Sequence, residues 1–178
     1  RATVIPETTS PITTPSPTPT PTPVTGGTFG LSSGNNTYSQ HGSALQAMRF
    51  QNTAGNGRLT RLELLVDDPT PTGKVRLGVY ADDNGRPGTL LVDGGEVPVV
   101  NGWVSTGVNL NLKVTAGSYY WLAYTLESTN GVRYQSGRPS GSHFWADSCA
   151  YGVLPASYPG VNTGSNANQY VMRATVVP

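Results

Sequence analysis

Charge is what this chain has least of. Asp, Glu, Lys and Arg make up 12% of its 178 residues, about half the usual share of roughly 25%. The formal net charge is +1, with no basic block and no acidic tail. Nucleic acid and anionic membranes are gripped by clustered Lys and Arg, so neither is expected as a partner. There is one cysteine, Cys149, which excludes an intrachain disulfide. A catalytic thiol needs a nearby base, and the only histidines are His41 and His143, so Cys149 reads as a small buried thiol. No apolar run approaches the ~20 residues of a membrane helix, and no window of about 12 residues sustains a helical stripe. The chain starts at Arg1, without a signal-peptide pattern, and reads as a piece of something longer.

What is abundant is Pro-Thr at one end and β-forming residues over the remainder. Residues 1–25, RATVIPETTSPITTPSPTPTPTPVT, favour extended polyproline II, which has no internal hydrogen bonds and buries no core. At ~3.1 Å per residue, the stretch from Pro6 to Thr25 would space two bodies by roughly 60 Å. It reads as a linker, leaving one domain over residues 26–178, long enough for a core of its own.

From Gly26 onward, short runs rich in Val, Leu, Thr, Tyr and Trp alternate with Gly, Pro, Asn or Asp clusters. They are RLTRLELLV (58–66), KVRLGVYAD (74–82), WVSTGVNLNL (103–112), SYYWLAYTL (118–126), VRYQS (132–136), HFWAD (143–147) and QYVMRATVV (169–177). ALQAMRFQ (44–51) and TLLVDGGEVPV (89–99) are further strand candidates. Many short strands with regular punctuation predict an all-β fold, a two-sheet antiparallel β-sandwich of jelly-roll type. In DDNGRPG (82–88), Asp83-Asn84-Gly85 suits a turn with positive φ, and Pro87-Gly88 suits a second bend. Asp82, Asp83, Asp67 and Asp68 also have the oxygen donors of a structural calcium site, but without the spacing of a dedicated loop. Turn chemistry is the favoured reading, and no cofactor is expected.

Catalysis is not expected of this module. Glycoside hydrolysis generally needs two carboxylates ~5–10 Å apart. The candidates outside the paired-Asp turns are Glu63, Glu96, Glu127 and Asp147, and no spacing couples two of them. Glu63 alternates with Leu62 and Leu64 and is expected to face solvent. There is no GxSxG, and His143 reads as a satisfied surface histidine rather than a general base.

Aromatic residues carry the stronger signal. The three tryptophans are Trp103, Trp121 and Trp145, alongside nine tyrosines and three phenylalanines. Trp103, Phe29, Phe50 and Met172 read as structural. Alternation along a strand puts His143, Trp145 and Asp147 on one face and Phe144 and Ala146 on the other. If the latter pair points inward, Trp145 stands outside. In VRYQS, Tyr134 opposes Arg133 and Gln135. In SYYWLAY (118–124), one face carries Tyr120, Leu122 and Tyr124, and the other Tyr119, Trp121 and Ala123; either is core or ligand surface. An exposed ring can cover the flat C–H plane of a β-linked glucose, burying apolar area at ~25 cal/mol per Å². Side chains two apart on one strand face lie ~6.8 Å apart, close to one glucosyl repeat. A carbohydrate site is therefore expected at Trp145, Tyr134, Trp121, Tyr151 and Tyr124, with Gln135, Arg133 and Asp147 as polar partners.

GTFGLSS, KVRLGVYADDNGRPGTLL, TAGSYYWLAY and HFWADSCAYGVLPASYP, preceded by the Thr-Pro segment, resemble carbohydrate-binding module family 81, β-glucan-binding modules appended to endoglucanases. The resemblance spans about residues 26–178. It implies a secreted, extracellular, non-catalytic β-sandwich with a rather planar aromatic site. Its ligands would be cellooligosaccharides, mixed-linkage β-glucan, xyloglucan or cellulose, and a glycoside hydrolase would be linked covalently upstream. The alternative is an extracellular adhesion or cell-surface spacer domain that binds no sugar, with the Pro-Thr segment as its stalk.

Overall fold

A computed structural model describes residues 26–40, 44–106, 110–147, 149–160 and 163–178. The proposed linker (1–25) and His41 lie outside the described residues. Fourteen strands run through the described residues: β1 (Gly27–Gly30), β2 (Asn36–Gln40), β3 (Leu45–Gln51), β4 (Gly57–Val66), β5 (Lys74–Asp83), β6 (Arg86–Pro98), β7 (Gly102–Ser105), β8 (Leu112–Val114), β9 (Tyr119–Leu126), β10 (Asn130–Gln135), β11 (His143–Ala146), β12 (Thr163–Asn166), β13 (Gln169–Tyr170) and β14 (Met172–Val177). No helix occurs among the described residues; none there is long and apolar enough to cross a membrane.

The strands form two antiparallel sheets, confirming the β-sandwich. One sheet is ordered β1-β14-β4-β10-β13, with β2 also on β10 and β7 and β8 also on β4; the other runs β12-β11-β3-β9-β5-β6. The main core lies between them. Leu59, Leu62, Leu64, Val132, Met172 and Ala174 from the first sheet meet Met48, Phe50, Val75, Leu77, Leu122 and Tyr124 from the second. They follow the period-2 inward faces of their strands, except that an irregularity in the β14–β4 pairing between Thr175 and Val176 brings Leu59 to the same side as Leu62.

The second sheet is apolar on its other face as well. Leu45, Ala47, Tyr80, Trp121, Ala123 and Ala146 make a second cluster there with Leu154, joined by the partly buried Phe144, Cys149 and Tyr158. The segment after β11 covers this face. Leu90 N–H donates to the Ala156 carbonyl at 2.8 Å, and Tyr158 N–H to that of Gly88 at 2.9 Å. The Tyr80 hydroxyl donates to the Pro155 carbonyl, and the Tyr158 hydroxyl to those of Leu45 and Phe144. From Tyr120 to Tyr124 both faces of SYYWLAY are therefore core, with Trp121 and Tyr124 fully buried, while Tyr119 at the strand's start stays exposed.

Local features depart from the sequence reading at three points. The β5–β6 hairpin turns on Asn84 and Gly85, both at positive φ (51° and 83°), a pair that matches the twist of a hairpin. Pro87 and Gly88 are not a second bend but lie within β6, at the sheet edge, where a missing N–H is tolerated. The run 103–112 is not one strand: β7 ends at Ser105, and β8 begins at Leu112 on the same neighbour, β4. Glu63 does occupy the outer face, yet it is only 4% exposed. Arg173, stacked 4.0 Å over the Trp103 ring, grips it at 2.6 Å, and Ser105 Oγ donates to it at 3.0 Å. Burial would raise this carboxyl, but the bonds from Arg173 and Ser105 outweigh burial and hold it below the usual range.

Gly78 on β5 is the keyhole for the cover. A Cβ there would sit 2.3 Å from Leu154 Cδ1, so Leu154 plugs the space that a side chain would fill. Gly78→Ala is expected to destabilise the fold by about 1–3 kcal/mol, the usual result of overpacking. Adding Leu154→Ala should relieve part of that strain. Urea denaturation of both single variants and the double variant measures this coupling, and strict additivity would refute the keyhole.

Candidate functional site

With both faces of the second sheet covered, its aromatic residues reach solvent at the rim of the sandwich. Inward positions on β3 alternate as Gln46, Met48 and Phe50. The register sets His143 beside Met48 and Trp145 beside Gln46, so His143 and Trp145 face the opposing sheet. On that sheet, Val132 is core and Tyr134, two residues on, shares its face. Tyr38 lies opposite Val132, and Tyr170 opposite Tyr134. Past Met48 and Val132 the packed core gives way to a cleft of about 580 Å³ lined by Tyr38, Ala44, Gln46, Tyr134, His143, Trp145, Asp147, Asn166, Asn168 and Tyr170.

Four of these residues form aromatic walls. Tyr134 and Tyr170 stand with ring centroids 5.9 Å apart, and Tyr170 is edge-on to the buried Tyr124 at 5.6 Å. Trp145 lies 5.4 Å from the His143 ring. Across the β11–β12 pair, the indole rests on Gly164: a Cβ there would come within 2.1 Å of Trp145 Cζ2. The wall is thus built against a backbone that must stay bare. Tyr38, at the mouth, is 52% exposed.

The floor is polar and buried. Gln46 is 2% exposed and His143 3%. His143 Nδ1 lies 3.1 Å from Asn166 Oδ1, and Nε2 lies 2.6 Å from Gln46 Oε1. Burial pushes the imidazole pKa down to about 4, against the opposing effect of the Asn166 bond, so at neutral pH the ring carries one N–H. Asn166 Oδ1 also accepts the Asn168 backbone N–H at 2.8 Å, which fixes that atom as oxygen. The ring thus has a single N–H for two flanking oxygens, and its tautomer decides which of Asn166 and Gln46 receives it. The chain thus folds a neutral His and two amides into a base for the rings.

Of the eight residues expected at a sugar site, the structure brings three together in this cleft: Trp145, Tyr134 and Asp147. Trp121 and Tyr124 are corrected to core. Trp121 donates from Nε1 to Asp82 at 2.8 Å and packs edge-on to Phe144, while Tyr124 faces the main core. Arg133 and Gln135 point to the other side of β10 from Tyr134, and Arg133 pairs with Asp67 at 3.1 Å. Tyr151 lies away from the cleft with its hydroxyl donating to Glu96 at 3.0 Å. The alternation within HFWAD holds, but Phe144 and Ala146 belong to the covered outer cluster, not the inter-sheet core. His143 is satisfied yet buried, not a surface residue. Tyr38, Gln46, Asn166, Asn168 and Tyr170 were not anticipated; Tyr170 opens QYVMRATVV, where a break after β13 turns a single expected strand into two.

The paired aspartates act as structural acceptors. Asp82 accepts from Arg49 at 2.7 and 2.9 Å, from Trp121 and from the Gly85 N–H. Asp68 accepts from the Gly131 and Thr70 N–H groups, and Asp67 from Thr37 and Arg133. No cluster of three His, Cys, Asp or Glu side chains suited to a metal occurs among the described residues.

The floor assignment has two measurable consequences. Long-range 1H–15N correlation of His143 should show a neutral ring with a single N–H at pH 7; an imidazolium pattern would overturn the uncharged floor. The unfolded histidine titrates near 6.5 and the buried one at about 4, so across that window the unfolded chain holds the extra proton. Stability should fall as pH drops from 6.5 to about 4, and His143→Gln should flatten most of that slope. Glu63 and Asp82 lose stabilisation only below their ordinary values of 4.5 and 3.8, which keeps the His143 window distinguishable in thermal melts.

No family model and no curated protein matches the chain. Solved structures similar to it include a clostridial cysteine protease, Cwp84, after propeptide cleavage. The likeness has a TM-score of 0.62 at 10% identity and covers 86% of this chain and 40% of that one. They also include the cysteine protease and lectin-like domains of Cwp84, a surface layer associated protein of Clostridium difficile, with TM-score 0.54 at 10% identity over 76% of this chain and 32% of that one. The chain thus spans well under half of either relative. At such identity the likeness establishes a shared β fold.

Proposed function

We propose that this chain is a non-catalytic carbohydrate-binding module that holds a β-1,4-linked glucan in the cleft between its two sheets. The observation that carries the reading is the cleft itself, with Tyr38, Tyr134, Trp145 and Tyr170 as walls over a floor of Gln46, His143 and Asn166. Pyranose rings present flat C–H faces ringed by hydroxyls, and this lining pairs apolar planes with amides and one carboxylate. Rings held in place by packing lose little entropy on binding. The lectin-like domain named for a solved structure of similar fold points the same way, as does the resemblance to β-glucan-binding modules. The site is a cleft rather than the planar platform that the resemblance implies, which favours single soluble chains over crystalline cellulose. With the Pro-Thr stretch as tether, such a module would keep a linked hydrolase near its polymer outside the cell.

Isothermal titration with cellohexaose tests the reading. Trp145→Ala is expected to weaken binding at least tenfold, about 1.4 kcal/mol, with the fold unchanged by circular dichroism. Trp121→Ala should instead destabilise the fold by about 3–5 kcal/mol, as large core truncations do. Wild-type affinity in Trp145→Ala would remove this cleft as the sugar site. Absence of any retardation of the wild-type protein in β-glucan gels would favour the spacer-domain alternative.

Gly164→Ala provides a subtler probe. The added methyl must push the indole off its seat, so affinity should drop although every ring remains. Unchanged cellohexaose affinity would mean that the Trp145 position is irrelevant to binding.

A further inference from the structure

The electrostatic character of the cleft is one-sided. Among the described residues, Asp147 is the only charged side chain in its lining, with no Lys or Arg there. Asp147 is exposed, and its carboxylate makes no hydrogen bond or ion pair with any described residue. Four of the lining side chains, Tyr38, Tyr134, Trp145 and Tyr170, are aromatic, and a ring quadrupole favours a cation over an anion. The carboxylate and the rings act on a bound group in the same sense: they reward N–H donors and positive charge and repel carboxylates.

We infer that the cleft discriminates among β-1,4-linked glycans by charge, with an amine-bearing hexosamine chain bound more tightly than the neutral glucan, and a uronate chain more weakly. The inference rests on the glycan reading above and deepens it. A protonated amine in place of a ring hydroxyl supplies three donors and a positive charge where the lining has a carboxylate and aromatic rings. The neutral state of His143 matters here, since a charged imidazole under Trp145 would cancel the advantage. Asp147 acts as the specificity residue; the aromatic rings and the His143 floor serve all β-1,4 chains alike.

The experiment compares hexasaccharides of β-1,4-linked glucose, glucosamine, N-acetylglucosamine and, as the anionic arm, glucuronate, binding to the whole chain at about pH 5.5. There most amines are charged, while His143 remains largely neutral. The glucosamine hexamer should bind about threefold or more tighter than cellohexaose at low salt, in line with an exposed ion pair. N-acetylation should abolish that gain, and the β-1,4-linked glucuronate hexamer should bind most weakly. High salt and Asp147→Asn should each bring the glucosamine and glucose hexamers to similar affinity. Equal affinity of these two in the wild type, or an advantage that survives Asp147→Asn, would overturn the inference while leaving the glycan reading intact. Failure of every hexamer to bind would overturn both.

Discussion

The structure depends on the two-sided apolarity of β9. Tyr120, Leu122 and Tyr124 face the opposing sheet, and Trp121 and Ala123 face the other way. An antiparallel sheet usually leaves one face to water; here that would expose an indole beside Tyr80 and Leu45. The chain resolves this by folding residues 149–158 back across the sheet, fastened at Gly88, Leu90 and Tyr80 and locked by Leu154 over Gly78. Even the one polar atom of Trp121 is accounted for, since Asp82 accepts its N–H while also binding Arg49. Asp82 is held below the usual carboxylate range, because these bonds outweigh the burial that would raise it.

Covering that face determines where a ligand site can lie. A sheet capped on both sides has no broad platform, so exposed aromatic rings collect at the rim, where β11 and β12 of one sheet stand over β2, β10 and β13 of the other. Trp145 illustrates the consequence. On an isolated strand its face would count as either core or surface; in the sandwich it is inward in direction yet at the edge in position. The core beneath it ends at Met48, and Gln46 and His143 take over. Buried amides and imidazole resist collapse of the cleft, because closing it would strip water from the polar groups that line it.

The strand pattern and the sandwich were legible because alternation, turn residues and apolar runs agree in the long strands β4, β5 and β9. β1, β2 and β12 were not, since Gly-Thr-Phe-Gly, Asn-Thr-Tyr-Ser-Gln and Thr-Gly-Ser-Asn carry too few apolar residues to show a period; their neighbours impose their conformation. The site was half legible for the same reason. Trp145, Tyr134 and Asp147 follow from alternation on strands that were visible, whereas Tyr38 and Asn166 sit on the unseen β2 and β12. Trp121 misled because a local sequence does not reveal a cover supplied from thirty residues downstream, and Tyr124 because alternation alone does not say which face of β9 meets the opposing sheet.

Gly164 shows how much of a binding site can reside in an absent side chain. Its strand is short and polar, with no composition that marks function. Yet the Trp145 ring takes its position from the bare backbone opposite, and the His143 ring supports its other neighbour. Any residue with a Cβ at 164 would tilt the indole, and with it the wall that faces Tyr134 and Tyr38. The affinity of such a cleft is set less by how many rings line it than by how firmly each is held before a ligand arrives. Here the firmness comes from a glycine, a neutral histidine and the amide oxygen of Asn166.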